Sequence, residues 1–400
     1  MVTFLHTADW QIGMTRRWLQ PADQARFDQD RLTAIRSTGR VARDQGCAFV
    51  VVAGDVFESN QLRQGTVLRA LDAMGEMGLP VYLLPGNHDP LDAMSIYRQP
   101  TFLRACPDNV TVLESEGPYE VAPGVEIVAA PWRGKHPGRD LVADALARAG
   151  EADGTLRVLV GHGGVDVLDP SGRNPSAIVT DPLFDAVRRG QIHYVALGDR
   201  HSRTDVSGRG CVWYSGTFEV TDPREESPGD VLVVELSAEG SVQVAPHRIG
   251  TWDFRSLARD LNSGDDVERL LAELTGTPAK ERVVVKLALR GSLSVADFTR
   301  LHEALGSLGA TFGGLHHWDR HSDLVIAPDD EQWSQLALSG YVSGAAEEIR
   351  QAMNDSIAWC STEIPDEDLA SRFSPDDADD SVSARDALAL LYRLSGSVAG

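Results

Sequence analysis

Val81-Tyr82-Leu83-Leu84-Pro85-Gly86-Asn87-His88-Asp89 is the stretch on which the fold turns. A short apolar run of strand type stops at Pro-Gly, and an amide, an imidazole and a carboxylate follow without a gap. The arrangement recurs on either side. Val2 to Leu5 leads to His6-Thr7-Ala8-Asp9, and Phe49-Val50-Val51-Val52-Ala53 leads to Gly54-Asp55. Val158-Leu159-Val160 runs into Gly161-His162, and Tyr194-Val195-Ala196-Leu197 into Gly198-Asp199. Further strands are expected at Val125 to Ala129 and over residues 230–236. Between them, Phe27, Leu32, Ile35 and Val41 repeat at helical spacing over residues 22–45, and a second helix is expected over 64–77. Strands that alternate with helices make an α/β sheet, whose ligands bind beyond the carboxyl ends of its strands. The polar residues that end these runs are therefore expected to meet in one crevice.

A second, small α+β unit is expected to begin near Trp252. Its expected elements are a helix over 265–275, a strand from Arg282 to Leu289, a helix from Val295 to Leu308, and a strand at Asp323-Leu324-Val325-Ile326. Residues 344–358 read as helical, and 361–381 as an acidic, solvated linker carrying Pro365 and Pro375. Ala384 to Leu394 reads as a short amphipathic helix, either a docking element for a partner or packed back on the body.

The bulk numbers exclude some classes. The four cysteines, Cys47, Cys106, Cys211 and Cys360, form no CxxC pair, which argues against a zinc ribbon or a disulfide framework. No apolar run approaches the ~20 residues of a membrane helix, and no basic segment precedes an apolar stretch at the N-terminus. The expectation is a cytoplasmic protein without membrane association. Lys+Arg number 37 against 59 Asp+Glu, a formal net charge of -22, so a uniformly basic nucleic-acid-binding surface is excluded. Phosphate contacts would have to come from a local patch or a partner. Arg133, Lys135 and His136 form one such candidate patch, and Arg200 and Arg203 flank His201 in another.

Taken singly, each motif residue has a mundane explanation: Asp9 could cap a turn, Gly86-Asn87 is an ordinary turn dipeptide, and His162 could be a satisfied buried imidazole. Trp10 reads as packing, and His316, His317 and His321 as ordinary polar or core residues. Together, at successive strand ends, the motif residues match what phosphodiester hydrolysis requires. Two cations roughly 3.5–4 Å apart neutralise the phosphate and lower the pKa of a water. Holding such a pair takes a bridging carboxylate with His, Asp or Asn ligands on each side.

The array resembles the calcineurin-like metallophosphoesterases, whose pattern is D-x-H, G-D, G-N-H-[DE], G-H and G-H-x-H, over about residues 1–220. Its flanks are similar to the SbcD-type nucleases: His6-Thr7-Ala8-Asp9-Trp10-Gln11-Ile12-Gly13, Gly54-Asp55-Val56-Phe57-Glu58, Tyr194 to His201, and Trp213-Tyr214-Ser215-Gly216-Thr217. The resemblance implies a four-layer α/β fold, a β-sandwich flanked by helices, in residues 1–250, an α+β capping domain in 251–345, and C-terminal helices with the acidic linker in 346–400. It implies that Asp55 bridges two divalent cations, manganese or else magnesium. Asp9, Gln11 and His201 would complete one site, and Asn87, His162 and Asp199 the other. His88 would orient the phosphate or protonate the leaving oxygen, with Asp89 as its hydrogen-bond partner. It further implies DNA as substrate, an SbcC-like SMC-type ATPase as partner, and a homodimer. Two positions depart from the pattern, since Gln11 and Asp199 stand where the family has His. Both changes favour hard, oxygen-preferring metals. They also keep open a small-nucleotide phosphodiesterase or phosphatase and a catalytically weakened assembly subunit.

Overall fold

The computed structural model describes residues 1–326 other than 153, 170, 171, 207 and 238, together with Gly344. The readings made for residues 345–400, including the acidic linker and the last helix, lie outside the described residues. The chain divides into two compact units, the first ending at Phe254 and the second starting at Arg255.

In the first unit the elements run β1 (Val2–Thr7), α1 (Pro21–Asp44), β2 (Val50–Val52), α2 (Gln64–Gly75), β3 (Val81–Leu83), α3 (Pro100–Ala105), β4 (Val110–Val112), β5 (Tyr119–Ala122) and β6 (Val125–Ala129). They continue α4 (Leu141–Ala149), β7 (Leu156–His162), α5 (Thr180–Arg188), β8 (Tyr194–Gly198), β9 (Thr204–Asp205), β10 (Val212–Tyr214), β11 (Asp230–Leu236) and β12 (Val242–Arg248). One sheet has the order β12-β11-β1-β2-β3-β4 and the other β5-β6-β7-β8-β10-β9. β1 to β4 are mutually parallel, as are β6, β7, β8 and β10.

The alternation of side chains along each strand builds the layers. Phe4, Phe49, Val51 and Ala53 from the first sheet share one core with Ile127, Val158, Val160, Tyr194 and Ala196 from the second. The intervening Leu5, Val50 and Val52 point the other way, into a core with Ile35 of α1 and Leu71 of α2. Leu159, Val195 and Leu197 do the same with Ala145 of α4 and Leu183 of α5. Both faces of the inner strands are buried, which is why they read as unbroken apolar runs. The result is helix, sheet, sheet, helix, the four-layer α/β sandwich expected.

Local signals set the ends. Pro21 occupies the first turn of α1, and Gly46, at φ 66°, closes it with Cys47 N–H returned to the Ala42 carbonyl. β12 carries Pro246 and is not among the strands expected from the sequence; it lies at a sheet edge, where a missing N–H is tolerated. Trp252 and Phe254 pack on Phe27, so the first unit extends a few residues beyond 250.

The second unit holds β13 (Asp253–Leu261) from Arg255 onward, α6 (Gly264–Gly276), β14 (Val283–Leu293), α7 (Val295–Gly309), β15 (Gly314–His317) and β16 (Asp323–Ile326). β14 is central, flanked by β13 and β15 and paired along its end with β16. That last pairing carries β14 through Arg290 and Gly291 to Leu293, beyond the expected end at Leu289. Ser263 and Ser294 cap α6 and α7 by accepting the N–H of Asp266 and Asp297. Leu270, Leu274, Leu287, Leu289, Leu301 and Leu305 form its core.

Candidate metal centre

The strand ends on the two sheets are tied together before any ligand is placed. His6, fully buried in β1, has Nδ1 2.9 Å from the Tyr194 hydroxyl and Nε2 3.2 Å from the Leu197 carbonyl. Burial pushes its imidazole down to about 3, so it is neutral: Nε2–H donates to Leu197 and Nδ1 accepts from Tyr194. The loops after β1 and β2 are laced by Asp9 N–H to Gly54 O (3.1 Å) and Gln11 N–H to Asp55 O (2.8 Å).

On this frame one nitrogen and two carboxylate oxygens of His162, Asp9 and Asp55 lie within 4.8 Å of one another, all buried. Asp55 Oδ1 is 3.4 Å from His162 Nε2 and accepts the His88 N–H at 3.0 Å. Both Asp9 oxygens accept the Asp199 N–H at 3.1 Å, and Asp199 Oδ1 is 3.9 Å from His162 Nε2. Asn87 Oδ1 stands 2.8 Å from His162 Nε2, and the Gln11 amide nitrogen 3.0 Å from His201 Nε2. The residues expected as metal ligands are thus brought together.

The two histidines are oriented from behind. His162 Nδ1 faces the Ala53 carbonyl at 2.9 Å, which leaves Nε2 directed at the carboxylates. His201 Nδ1 faces Glu225 Oε1 at 2.8 Å and Thr221 Oγ1 at 2.7 Å, which leaves Nε2 beside Gln11. A ring nitrogen fixed by a carbonyl or carboxylate, with the other free, is how imidazole ligands are held. Neither Glu225 nor Thr221 is among the residues expected from the sequence; they come from a loop 20 and 24 positions downstream of His201, where no motif marks them.

The backbone is bent to the same purpose. Asp9, Gln11, Asp55 and Asp199 have φ of 52°, 41°, 51° and 97°, the left-handed region that side-chain-bearing residues rarely enter. Two glycines are required by space. A Cβ on Gly54 would lie 2.1 Å from His162 Nδ1, and one on Gly86 would lie 2.2 Å from Asp55 Oδ1.

The charge pattern fits divalent cations. Among the described residues no lysine or arginine pairs with Asp9, Asp55 or Asp199. Burial, reinforced by Asp55 and Asp199 and opposed by the two histidines, pushes Asp9 up to about 7. Burial also resists ionisation of Asp55, but His162 and His88 outweigh it and hold its carboxyl below the ordinary value. Burial resists protonation of His162 and His201 too, yet the surrounding carboxylates raise both. Buried acids without a lysine or arginine partner make a site that cations would neutralise.

Other expectations fare differently. His88 sits at the cluster, with Nδ1 3.0 Å from the Glu58 carbonyl and Nε2 3.9 Å from Asp55 Oδ2. Asp89 is not its hydrogen-bond partner. It is fully buried and accepts from Gly86 N–H (2.8 Å), Phe57 N–H (3.0 Å) and the Tyr97 hydroxyl (2.6 Å), so it fastens the loop beneath His88 instead. Trp10 is buried and stacked on Phe218, as the packing reading has it. Behind it Arg31, also buried, donates to the Trp10 carbonyl, and Glu219 receives the N–H groups of Thr251 and Trp252.

Of the expected phosphate contacts, Arg133 donates to the Glu114 carbonyl and, with His136, lines a separate cavity of about 350 Å³ with Arg139 and Asp144. Lys135 lies between them in sequence and is not among that cavity's lining residues. Arg203 is ion-paired with Asp230. Arg200 does border the site: with Asp199, His201, Arg16 and Tyr214 it lines a cavity of about 630 Å³.

The sequence pattern of the calcineurin-like phosphoesterase family matches residues 2–234, and the chain belongs to this family. It is accordingly a metal-dependent phosphoesterase, with Asp9, Asp55 and His162 as its candidate metal site. Among solved structures it is similar to TT1561 of Thermus thermophilus, with 12% identity over 61% of this chain and 98% of that one and a TM-score of 0.38. It is also similar to a dimetal phosphatase from Danio rerio, LOC 393393, with 14% identity over 58% of this chain and 94% of that one and a TM-score of 0.34. No curated protein matches the chain in sequence. Among the described residues no helix is long and apolar enough to cross a membrane.

Proposed function

We propose that this phosphoesterase is a DNA nuclease of the SbcD type, cutting phosphodiester bonds with two divalent cations, manganese by preference, as a homodimer partnered by an SMC-like ATPase. The observation that carries the hydrolytic part is the convergence of Asp9, Asp55 and His162 within 4.8 Å, with Gln11 beside His201 and Asn87 beside His162. The nuclease part is supported by the flanking motifs His6 to Gly13, Tyr194 to His201 and Trp213 to Thr217, and by the presence of a second α+β unit.

In this reading Asp55 would hold both ions, Asp9, Gln11 and His201 would hold one, and Asn87, His162 and Asp199 would hold the other. Bound there, divalent cations supply Lewis-acid neutralisation of the phosphate and a lowered pKa for the attacking water. The protein contributes orientation and a proton. With Nδ1–H of His88 donating to Glu58 O, Nε2 is the nitrogen left for the substrate, and its side chain is 37% exposed beside Asp55. A protonated Nε2 would donate to the departing oxygen. Oxygen donors at positions 11 and 199 favour manganese or magnesium over zinc.

Gln11 supports a second reading, a weakened assembly subunit. Its amide nitrogen, not its oxygen, faces His201, and the side chain must turn over to act as a ligand. One experiment separates the readings. Purified protein is incubated with manganese and labelled linear or hairpin DNA, in parallel with bis-p-nitrophenyl phosphate, as wild type, Asp55→Ala and His88→Ala. The nuclease reading expects DNA cleavage, lost with metal binding in Asp55→Ala and lost with metal binding retained in His88→Ala. Cleavage of the small ester alone indicates a small-nucleotide phosphodiesterase. Metal binding without hydrolysis indicates the assembly subunit.

A further inference from the structure

Resting on the reading of the centre as a phosphodiester hydrolase, we infer that the cavity beside His201 is a nucleotide subsite, binding the residue next to the scissile bond through its phosphate and an apolar face. The cavity measures about 630 Å³ and has Asp199 and His201 in its lining, so it opens onto the candidate metal centre. That volume falls within the range of small-ligand pockets and exceeds what one phosphate needs.

Its lining carries three arginines, Arg16, Arg200 and Arg224, beside four carboxylates, Asp169, Asp199, Asp222 and Glu225. Arg16 donates Nε and Nη2 to one backbone carbonyl, that of Thr221, at 3.2 and 3.1 Å, which leaves Nη1 for a ligand. Arg200 donates Nε to Thr204 Oγ1 at 2.9 Å. Among the described residues neither forms an ion pair with a carboxylate, in a chain where acids outnumber bases 59 to 37 and where Arg203, close by in sequence, is paired with Asp230. Of the neighbouring acids, Glu225 is engaged by His201 and Thr221, and Asp222 by the third arginine, Arg224. Arginines without acid partners, in the same pocket as His201, suit a planar bidentate anion such as phosphate.

The cavity is also lined by Val165, Leu168 and Tyr214. Val165 and Tyr214 are each only 1% exposed, the Tyr214 hydroxyl donating to the Gly163 carbonyl at 2.7 Å, so the apolar surface the cavity offers is that of Leu168, 45% exposed. An anion-binding edge beside an exposed aliphatic side chain, in a volume larger than one phosphate needs, suits a nucleotide. Arg16 adds a link to chemistry: it grips the residue whose side chain contacts His201 Nδ1, so a ligand on Arg16 bears on the histidine's support.

The test uses the full chain with manganese and three dinucleotides sharing one internal phosphodiester: no terminal phosphate, a 5′-phosphate, or a 3′-phosphate. The quantity read is the ratio of kcat/KM for a phosphorylated over the unphosphorylated form, taken within each enzyme so that the amount of active protein cancels. Wild type should prefer one phosphorylated form by about 10-fold, the size of one charge-assisted hydrogen bond, chiefly through KM. Arg16→Ala and Arg200→Ala should each shrink the ratio, the double variant should bring it to about one, and Arg16→Lys should keep part of it. A ratio near one in wild type, or one unchanged in both alanine variants, overturns the subsite. If no dinucleotide is cut, bis-p-nitrophenyl phosphate tells the failures apart. Its hydrolysis means that only the subsite assignment is wrong, and its survival means that the hydrolase reading fails and takes the subsite with it.

Discussion

In the proposed two-cation centre, removing Glu225 should weaken the binding of one metal ion and leave the other almost untouched. Glu225 Oε1 lies 2.8 Å from His201 Nδ1, and its other oxygen accepts the Thr221 N–H at 2.8 Å, with the side chain 6% exposed. A carboxylate behind a liganding imidazole fixes the tautomer and raises basicity, and its loss typically costs about 10–100-fold in affinity, or ~1.4–2.8 kcal/mol. The structure narrows that range. Thr221 Oγ1 stands 2.7 Å from the same nitrogen and can take over as acceptor. Glu225→Ala should therefore lie near the low end, about 10-fold, and Glu225→Ala with Thr221→Ala near about 100-fold. Calorimetric titration of manganese into chelator-stripped protein reads both sites. The expected trace shifts one event and keeps the other, because His162 is oriented independently by the Ala53 carbonyl. Wild-type affinity at both sites in the double variant, or an equal loss at each, would refute the assignment of Glu225 to His201.

Other consequences are open to measurement. Burial pushes Glu219 up to about 7 from an ordinary 4.5, so the folded chain holds its proton more tightly than the unfolded chain does. Stability should be highest below about pH 4.5 for this group, fall as pH rises towards 7 and then level, a change of about 3 kcal/mol at most. Urea melts in chelator should show Glu219→Gln gaining on wild type by that order between pH 5 and 8; parallel pH profiles would contradict the buried-carboxyl argument. Gly54→Ala forces a Cβ at φ 95° to within 2.1 Å of His162 Nδ1, and backbone strain with overpacking should cost about 2–5 kcal/mol. A melting temperature within a degree of wild type would mean that the loop has room to move. Tyr97→Phe deletes the 2.6 Å donor to buried Asp89 and should cost about 1.5–3 kcal/mol, seen as a lower urea midpoint at unchanged slope; no shift would mean that water replaces the hydroxyl.

The residues that sequence pattern revealed are those that immediately follow a buried strand. Val50 to Val52 and Val158 to Val160 must be apolar on both faces, so the polar residue after each run stands out, and the sheet aligns the ends of such runs without further instruction. What escaped belongs to loops whose reach depends on closure of the whole sandwich. Glu225 meets His201 across 24 positions, and Arg16 meets Thr221 across 205, with no period or motif to announce either. Asp89 shows the opposite error. The family resemblance implied a partnership with His88, but the chain turns so that its carboxyl faces Tyr97 and two backbone amides. The Arg133-Gly134-Lys135-His136 cluster likewise follows a strand, β6, yet Arg133 folds onto Glu114, away from the ligands. Strand order was legible only locally, since β12 and β13 lack the unbroken apolar signature of inner strands.

The left-handed backbone at positions 9, 11, 55 and 199 has a consequence for redesign. Any library that aims to retune metal preference there meets a filter older than coordination chemistry: valine, isoleucine and threonine are disfavoured by their branched Cβ before their donor atoms matter. Asparagine, aspartate and glycine pass it most easily. The repertoire through which this centre can drift is narrow, and oxygen donors dominate what it admits.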